Sequence, residues 1–321
     1  MKKVTNIYER KHKIAVVGGG FVGASIAFAL AIRNFAKEIV LIDIAQDKIK
    51  GEAMDIQHGL SHLGSAFVYA GDYEDVKDAD LIVITAGRNR KPGETRLNLI
   101  NDNIVILRNI VENIKKYYTG STILVVSNPV DVLTQKCAEM MGLENGKVFG
   151  SGCILDSSRL VSVLSDFTGV SNDNIKACVI GEHGDSMVVV WSKASVTGLT
   201  MEEYCKVNGI EWNEQIKEEI TTNVKTMGGQ IIKAKGKTHY GVAASVCYLA
   251  EAIINNEKIV ASVSSPFHGE YGIEGVSLSV PSIIGAQGVE VRLVDNYSEE
   301  ELKGLKDSAQ ALKNMLDSIS E

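Results

Sequence analysis

The chain reads as an α/β protein, a Rossmann-type doubly wound parallel sheet followed by an α+β substrate domain. Three observations carry that reading. Short runs rich in β-branched residues alternate with helical patterns through the first half of the sequence. The first of these runs leads straight into a cluster of glycines, "VVGGGFVG". Past residue 150 the regular alternation gives way to a mixed order of strands and helices.

The segments "KIAVV" (13–17), "EIVLIDI" (38–44), "DLIVITA" (80–86) and "TILVVS" (122–127) are predicted strands. Their near-continuous apolar character requires cover on both faces, which a parallel sheet wrapped by helices supplies. Helical patterns over 22–34 and 96–118 provide that cover. In the second half "ILDSSRLVSVLSDFTG" reads as a helix, and "IKACVIGEHG" and "SMVVVWS" read as strands. One long helical tract is predicted over 212–254, then short strands between 258 and 293. Leu302, Leu305, Ala309, Leu312, Leu316 and Ile319 fall on one stripe of a final helix, which is a packing face. The division is therefore 1–150 for the doubly wound domain and 151–321 for the α+β domain.

Composition narrows the function classes. A formal charge of -7 over 321 residues argues against a nucleic-acid or anionic-membrane partner. The start, "MKKVTNIYERKHK", lacks the apolar stretch of a secretory signal, and no run reaches the ~18 apolar residues of a membrane span. The five cysteines form no CxxC pair, so neither a disulfide framework nor the cysteine ligands of a zinc alcohol dehydrogenase are expected. No metal is expected, and the cytoplasm is the expected compartment.

Gly18, Gly20 and Gly23 stand in G-x-G-x-x-G spacing between a strand and a helix. Such a turn admits a pyrophosphate against the helix N-terminus. Asp43 ends the next strand, where a carboxylate accepts hydrogen bonds from a ribose 2′-hydroxyl and repels a 2′-phosphate. The cofactor expected is NAD. The other polar signals are a basic loop, "AGRNRKPGETR" (86–96), His183 between glycines in "IGEHGDS", and Asp156 and Arg159 in "LDSSR". The last two are three residues apart and share a helix face.

The motifs "GGGFVG", "ITAG", "KPGETRLNL", "VSNPVD", "GSGCILDSSR" and "GEHGD", in this order, make the chain resemble the L-lactate dehydrogenase branch of the lactate/malate dehydrogenase superfamily. The resemblance runs over nearly the full length. It implies a glycolytic or fermentative enzyme that exchanges pyruvate and L-lactate, built as a homotetramer or a dimer of that type. It implies that His183 is the proton donor, that Asp156 orients it, that Arg159 grips the substrate carboxylate, and that Arg96 polarises the carbonyl. Asn128 and Thr238 would complete the substrate site with Arg90. NAD would be held by Gly18, Gly20, Phe21, Val22, Gly23, Asp43, Lys48, Tyr73, Thr85, Ala86, Gly87, Val126, Ser127 and Asn128.

Two other readings stand beside this one. Lactate enzymes often carry glutamine where this chain has Arg90, whereas malate enzymes carry arginine, so malate dehydrogenase is the alternative. Glu182 before His183, with "GSGCILD" and "GETR", points back to lactate, and Glu94 is placed to offset Arg90. A recruited binding protein of the same fold is disfavoured because His183, Asp156, Arg159 and Arg96 are all present. Arg88 and Lys91 are expected to be solvated.

Overall fold

A computed structural model describes residues 12–89, 93–94 and 96–319 of the chain. The first half builds β1 (Lys13–Val17), α1 (Phe21–Arg33), β2 (Glu38–Ile42), α2 (Gln46–Gly59), β3 (Phe67–Gly71) and β4 (Leu81–Ile84). It continues with α3 (Arg96–Lys115), β5 (Thr122–Val125), α4 (Val130–Met141) and β6 (Val148–Gly150). β4 and β5 are buried at every position, and β1 and β2 at all but the first, as strands covered on both faces must be. α1 buries Gly23, Ile26, Ala27, Leu30 and Ala31, a stripe at helical spacing, and stops at Asn34 in the left-handed region. Neither α2 nor β3 stood out in the sequence. α2 is largely polar with only Ile49, Ala53 and Ile56 buried, and β3 is an edge strand with one fully buried residue.

The remainder comprises α5 (Ile154–Thr168), β7 (Ile175–Lys176), β8 (Val179–Ile180), β9 (Val188–Val189), β10 (Ser195–Val196) and β11 (Leu199–Thr200). Then come α6 (Met201–Asn208), α7 (Glu214–Lys235), α8 (Tyr240–Asn255), β12 (Ile259–His268), β13 (Glu274–Gly285), β14 (Gly288–Arg292) and α9 (Glu299–Asp317). Three expectations are corrected here. The apolar runs around His183 form only two-residue strands, because glycines and loops interrupt their pairing. The tract 212–254 is two helices, divided where Gly236 takes φ +84°. The strands after 258 are long, ten and twelve residues in β12 and β13.

Serine hides that hairpin from a reading of periodicity. Ser262, Ser264, Ser265, Ser277, Ser279 and Ser282 are all buried. Each hydroxyl is bonded: Ser262 to Val179, Ser264 to Asp131, Ser277 to Gln135 and Ser282 to Val280. Ser279 accepts from Cys153 and Ser265 from Arg292. Satisfied hydroxyls can be buried at little net cost, so a polar letter there does not end a strand.

One nine-stranded sheet results, in the order β14-β13-β12-β6-β5-β4-β1-β2-β3. Its parallel part follows the doubly wound order 3-2-1-4-5-6, and β12 joins antiparallel through Ser264 opposite Gly150. Strand order reverses between β1 and β4, which leaves a crevice beyond their carboxyl ends. α8, from the second half, packs on α1. α9 buries Leu305, Ala309 and Leu312, as its stripe requires.

Candidate active site

Two constellations border the crevice. The first is a backbone cradle between β1 and α1. Gly18 has φ +111°, a conformation that suits glycine. A Cβ on Gly23 would lie 1.8 Å from the Gly18 carbonyl oxygen, so α1 packs this closely on β1 only with glycine there. A Cβ on Gly20 would meet no protein atom within 4 Å, so the cradle is open on that side. Gly20 is also the N-cap of α1 and brings no side-chain cap, leaving the helix's first N–H groups for an anion from outside. The cradle thus fits a pyrophosphate.

Around it Asp43 accepts from the Gly19 N–H at 2.6 Å and the Ala45 N–H at 2.9 Å, which fixes the carboxylate at the rim. Tyr73 is half-buried beside it, and burial, with the Asp43 charge, raises its pKa. Thr85 donates to the Gly18 carbonyl at 3.0 Å, and Ser127 donates to the Ala86 carbonyl at 2.6 Å. These bonds tie the ends of β1, β4 and β5 together, with Val126 buried between and Gly87 exposed. Phe21 is 59 % exposed and Val22 half-buried. Lys48 comes within 5.8 Å of the Phe21 ring centroid, and Lys237 within 3.0 Å. Lys237 escaped the sequence reading because its link between α7 and α8 is remote from the fingerprint.

The second constellation centres on His183. Its Nδ1 lies 2.5 Å from Asp156 Oδ2, while Asp156 Oδ1 accepts from Arg159 Nη1 at 2.9 Å. The expected sharing of a face by Asp156 and Arg159, one turn apart on α5, is therefore realised as an ion pair. With Nδ1 committed to Asp156, Nε2 is the ring nitrogen left to exchange a proton. Burial lowers the His183 pKa, but the hydrogen bond and charge of Asp156, with the charge of Asp131, outweigh it and the net direction is up. Burial likewise raises Asp156, and its bonds to His183 and Arg159 reverse that to a net depression. The pair is thus arranged as imidazolium and carboxylate.

The His183 main chain is held as firmly as its ring. Asp131, 3 % exposed in the first turn of α4, accepts the His183 N–H at 2.7 Å and the Ser264 hydroxyl at 2.6 Å. Burial pushes its pKa up to about 6 against those two bonds. Ser308 of α9, fully buried, accepts the neighbouring Glu182 N–H at 2.7 Å. Neither residue was singled out as a candidate in the sequence. Asp131 stands inside "VSNPVD", whose final acid would have been the signal; nothing local marks Ser308.

Other expected residues are placed less completely. Asn128 is exposed, its carbonyl accepting from Asn103 Nδ2 at 2.8 Å and its side chain from the Val130 N–H at 3.3 Å. Thr238 is half-buried in the link before α8. Arg90 and Lys91 lie outside the described residues. Arg96 begins α3, but its side chain is likewise outside what the structure describes. Arg88 corrects an expectation: it is ion-paired to Glu94 and Asp102 rather than solvated, because two carboxylates meet its guanidinium.

Burial raises the pKa of all five cysteine thiols, and all five are unpaired. Among the described residues no His, Cys, Asp and Glu group is arranged to hold a metal, and no helix is long and apolar enough to cross a membrane. A surface cavity of about 780 Å³ beside Trp191 and Trp212 shares none of its lining with either constellation.

Comparison with known proteins agrees with this geometry. Residues 12–150 match the lactate/malate dehydrogenase NAD binding domain, and 153–321 match the lactate/malate dehydrogenase alpha/beta C-terminal domain. The chain is 42 % identical to an L-lactate dehydrogenase of a Thermoanaerobacter species, covering 96 % of this chain and 99 % of that one. It is 43 % identical to an L-lactate dehydrogenase of Clostridium perfringens, covering 96 % and 97 %. The minor L-lactate dehydrogenase of Enterococcus mundtii superposes with a TM-score of 0.93 at 36 % identity, over 97 % of this chain and 99 % of that one. The L-lactate dehydrogenase of Clostridium thermocellum does so at 0.85 and 42 %, over 97 % and 100 %. A glycine cradle that fits a dinucleotide, an imidazole set between acids and these full-length matches lead to one conclusion: the chain belongs to the lactate/malate dehydrogenase family.

Proposed function

We propose that the chain is an NAD-dependent L-lactate dehydrogenase, reducing pyruvate to L-lactate and running the reverse. The observation that carries this is the chain of contacts from Arg159 through Asp156 to His183, beside a cradle shaped for the cofactor. NAD, when bound, supplies or takes the hydride. Gly18, Gly20, Gly23 and Asp43 would hold it, with Phe21, Val22, Lys48, Tyr73, Thr85, Ala86, Gly87, Val126, Ser127 and Asn128 as further contacts.

Residues from both halves then do the rest. Arg159 spends Nη1 on Asp156 and keeps the remainder of its fork for the substrate carboxylate, a planar match that lysine lacks. His183 gives its Nε2 proton to the keto oxygen during reduction and takes it back during oxidation. Asp156 keeps the imidazole charged and correctly turned. Arg96, at the start of α3, polarises the carbonyl, while Asn128 and Thr238 border the substrate. On this reading residues 1–150 carry the cofactor and 151–321 most of the proton chemistry.

Substrate choice turns on Arg90. The named relatives above are all L-lactate dehydrogenases, and malate has only this arginine in its favour. An unpaired guanidinium beside a pyruvate methyl would be costly to bury, so on this reading Arg90 is paired or solvated in the pyruvate complex. Absorbance of NADH with pyruvate and with oxaloacetate separates the readings. The lactate reading predicts a higher kcat/KM for pyruvate, and Arg90→Gln should widen that preference by about 10-fold. A wild-type preference for oxaloacetate would replace it with the malate reading.

A homotetramer, or a dimer of that type, is part of the proposal. Phe28 and Ile32 on α1, Met54 on α2 and Tyr248 on α8 are large apolar side chains exposed on neighbouring helices, as a subunit interface requires. A cytoplasmic, glycolytic or fermentative setting fits five unpaired cysteines and pyruvate as the substrate.

A further inference from the structure

The basic loop contains a device that neither constellation uses. Arg88 leaves the end of β4, and all five of its guanidinium N–H groups have acceptors. Nε donates to Asp102 Oδ2 at 2.7 Å, and Nη1 donates to Glu94 Oε2 at 2.7 Å and to the Asn89 carbonyl at 3.3 Å. Nη2 donates to Glu94 Oε1 and to the Asn98 carbonyl, the latter at 3.5 Å. The Arg88 main chain is clamped as well. Its N–H donates to Asn103 Oδ1 at 2.9 Å, and its carbonyl accepts from Asn103 Nδ2 at 3.3 Å.

These bonds have a definite layout along the chain. One guanidinium grips the loop's return at Glu94 and the first two turns of α3 at Asn98 and Asp102. Arg96 lies between the grips at 94 and 98. The Glu94 side chain is only 13 % exposed and that of Arg88 22 %, so the pair is partly shielded from water and from screening. The two-pronged contact with Glu94 needs the planar fork of arginine; an ammonium offers one point charge to one carboxylate at a time. Asn103, 2 % exposed, carries the same anchoring to the Asn128 carbonyl in the loop that follows β5.

We infer that Arg88 is a positioning residue for the reaction: by stapling Glu94 to α3 it fixes where the segment bearing Arg96 begins. This rests on the role given to Arg96 above. A residue that only stabilised the fold would change the melting temperature and leave the kinetic constants of the folded enzyme alone. A staple that sets the placement of a carbonyl-polarising arginine acts on the chemical step, because misplacement by a fraction of an ångström weakens transition-state contacts more than ground-state ones.

The test uses single and double variants of the full chain. Arg88→Met should lower kcat for pyruvate by about 10-fold, with the NADH dissociation constant unchanged and the pyruvate KM moved less than about 3-fold. Glu94→Gln should resemble it, and Arg88→Met/Glu94→Gln should fall no further than the worse single, since both remove one contact. Arg88→Lys, which keeps the charge, should recover only part of the loss and serves if the methionine variant does not fold. A kcat within about 2-fold of wild type in the folded Arg88 variant, or losses that multiply in the double variant, would overturn the staple. Arg96→Gln is the control. If it loses activity while the Arg88 variant does not, the staple alone is wrong; if it keeps activity, the role of Arg96 and the staple fall together.

Discussion

The cofactor cradle and the acid site are neighbours built on opposite principles. The cradle is one continuous stretch, Gly18 to Gly23, with Asp43 supplied by the next strand, and its surface is mostly backbone. The acid site is collected from four places: Asp131 on α4, Asp156 and Arg159 on α5, His183 in its loop and Ser264 on β12. A backbone site is specified by glycine spacing, because only the missing Cβ matters. A side-chain site is specified by folding, because its members meet only after the sheet has formed. The first should therefore fail through local sterics and the second through charge and proton placement.

The largest effect that separates them is expected at His183. His183→Asn should cut pyruvate reduction by at least ~10²-fold with NADH binding nearly unchanged, since the ring lies outside the cradle. Titration of NADH fluorescence alongside steady-state rates checks both halves. A variant that keeps most of its kcat would remove His183 from the mechanism.

Gly23→Ala should do the opposite. Its Cβ would sit 1.8 Å from the Gly18 oxygen, so β1 and α1 must part, costing about 2–3 kcal/mol of stability. NADH affinity should fall by about 10-fold or more while the Asp156–His183 contact persists. Thermal melts and NADH titration measure this; normal NADH affinity would show that the cradle tolerates a side chain.

The same contrast explains what was legible in the sequence. The strands at 13–17 and 122–125 and the helix at 96–115 showed through because buried parallel strands and amphipathic helices leave periodic patterns. The full length of the β12–β13 strands did not, because their buried serines interrupt the apolar run and most are satisfied by partners from other elements. Gly18, Gly20, Gly23 and Asp43 were legible from spacing. His183, Asp156 and Arg159 drew attention as residue types, but their roles came from resemblance to a family, since no spacing links 156 to 183. Asp131 and Ser308 bond to main-chain N–H groups of the loop that carries His183, and Arg88 bonds across its own loop. Such contacts depend on tertiary placement, which is why Arg88 read as a solvated cation.

The ionisation of the His183–Asp156 pair also sets a pH dependence with a definite sign. With His183 raised, the stability the pair contributes is lost as pH rises through the folded histidine pKa. With Asp156 depressed, it is lost as pH falls through the folded carboxylate pKa. On the proposed mechanism reduction needs the protonated imidazole, so its rate should follow the upper limb.

The most direct test of this arrangement is the pH profile of kcat/KM for pyruvate in wild type and in Asp156→Asn. In wild type the rate should hold at low pH and fall with a midpoint above the ordinary histidine value of about 6.5. Removing the Asp156 charge leaves burial opposed by the more distant pull of Asp131, so the midpoint should move down along with the rate. A midpoint that stays in place, or moves up, would contradict an imidazolium held charged by Asp156.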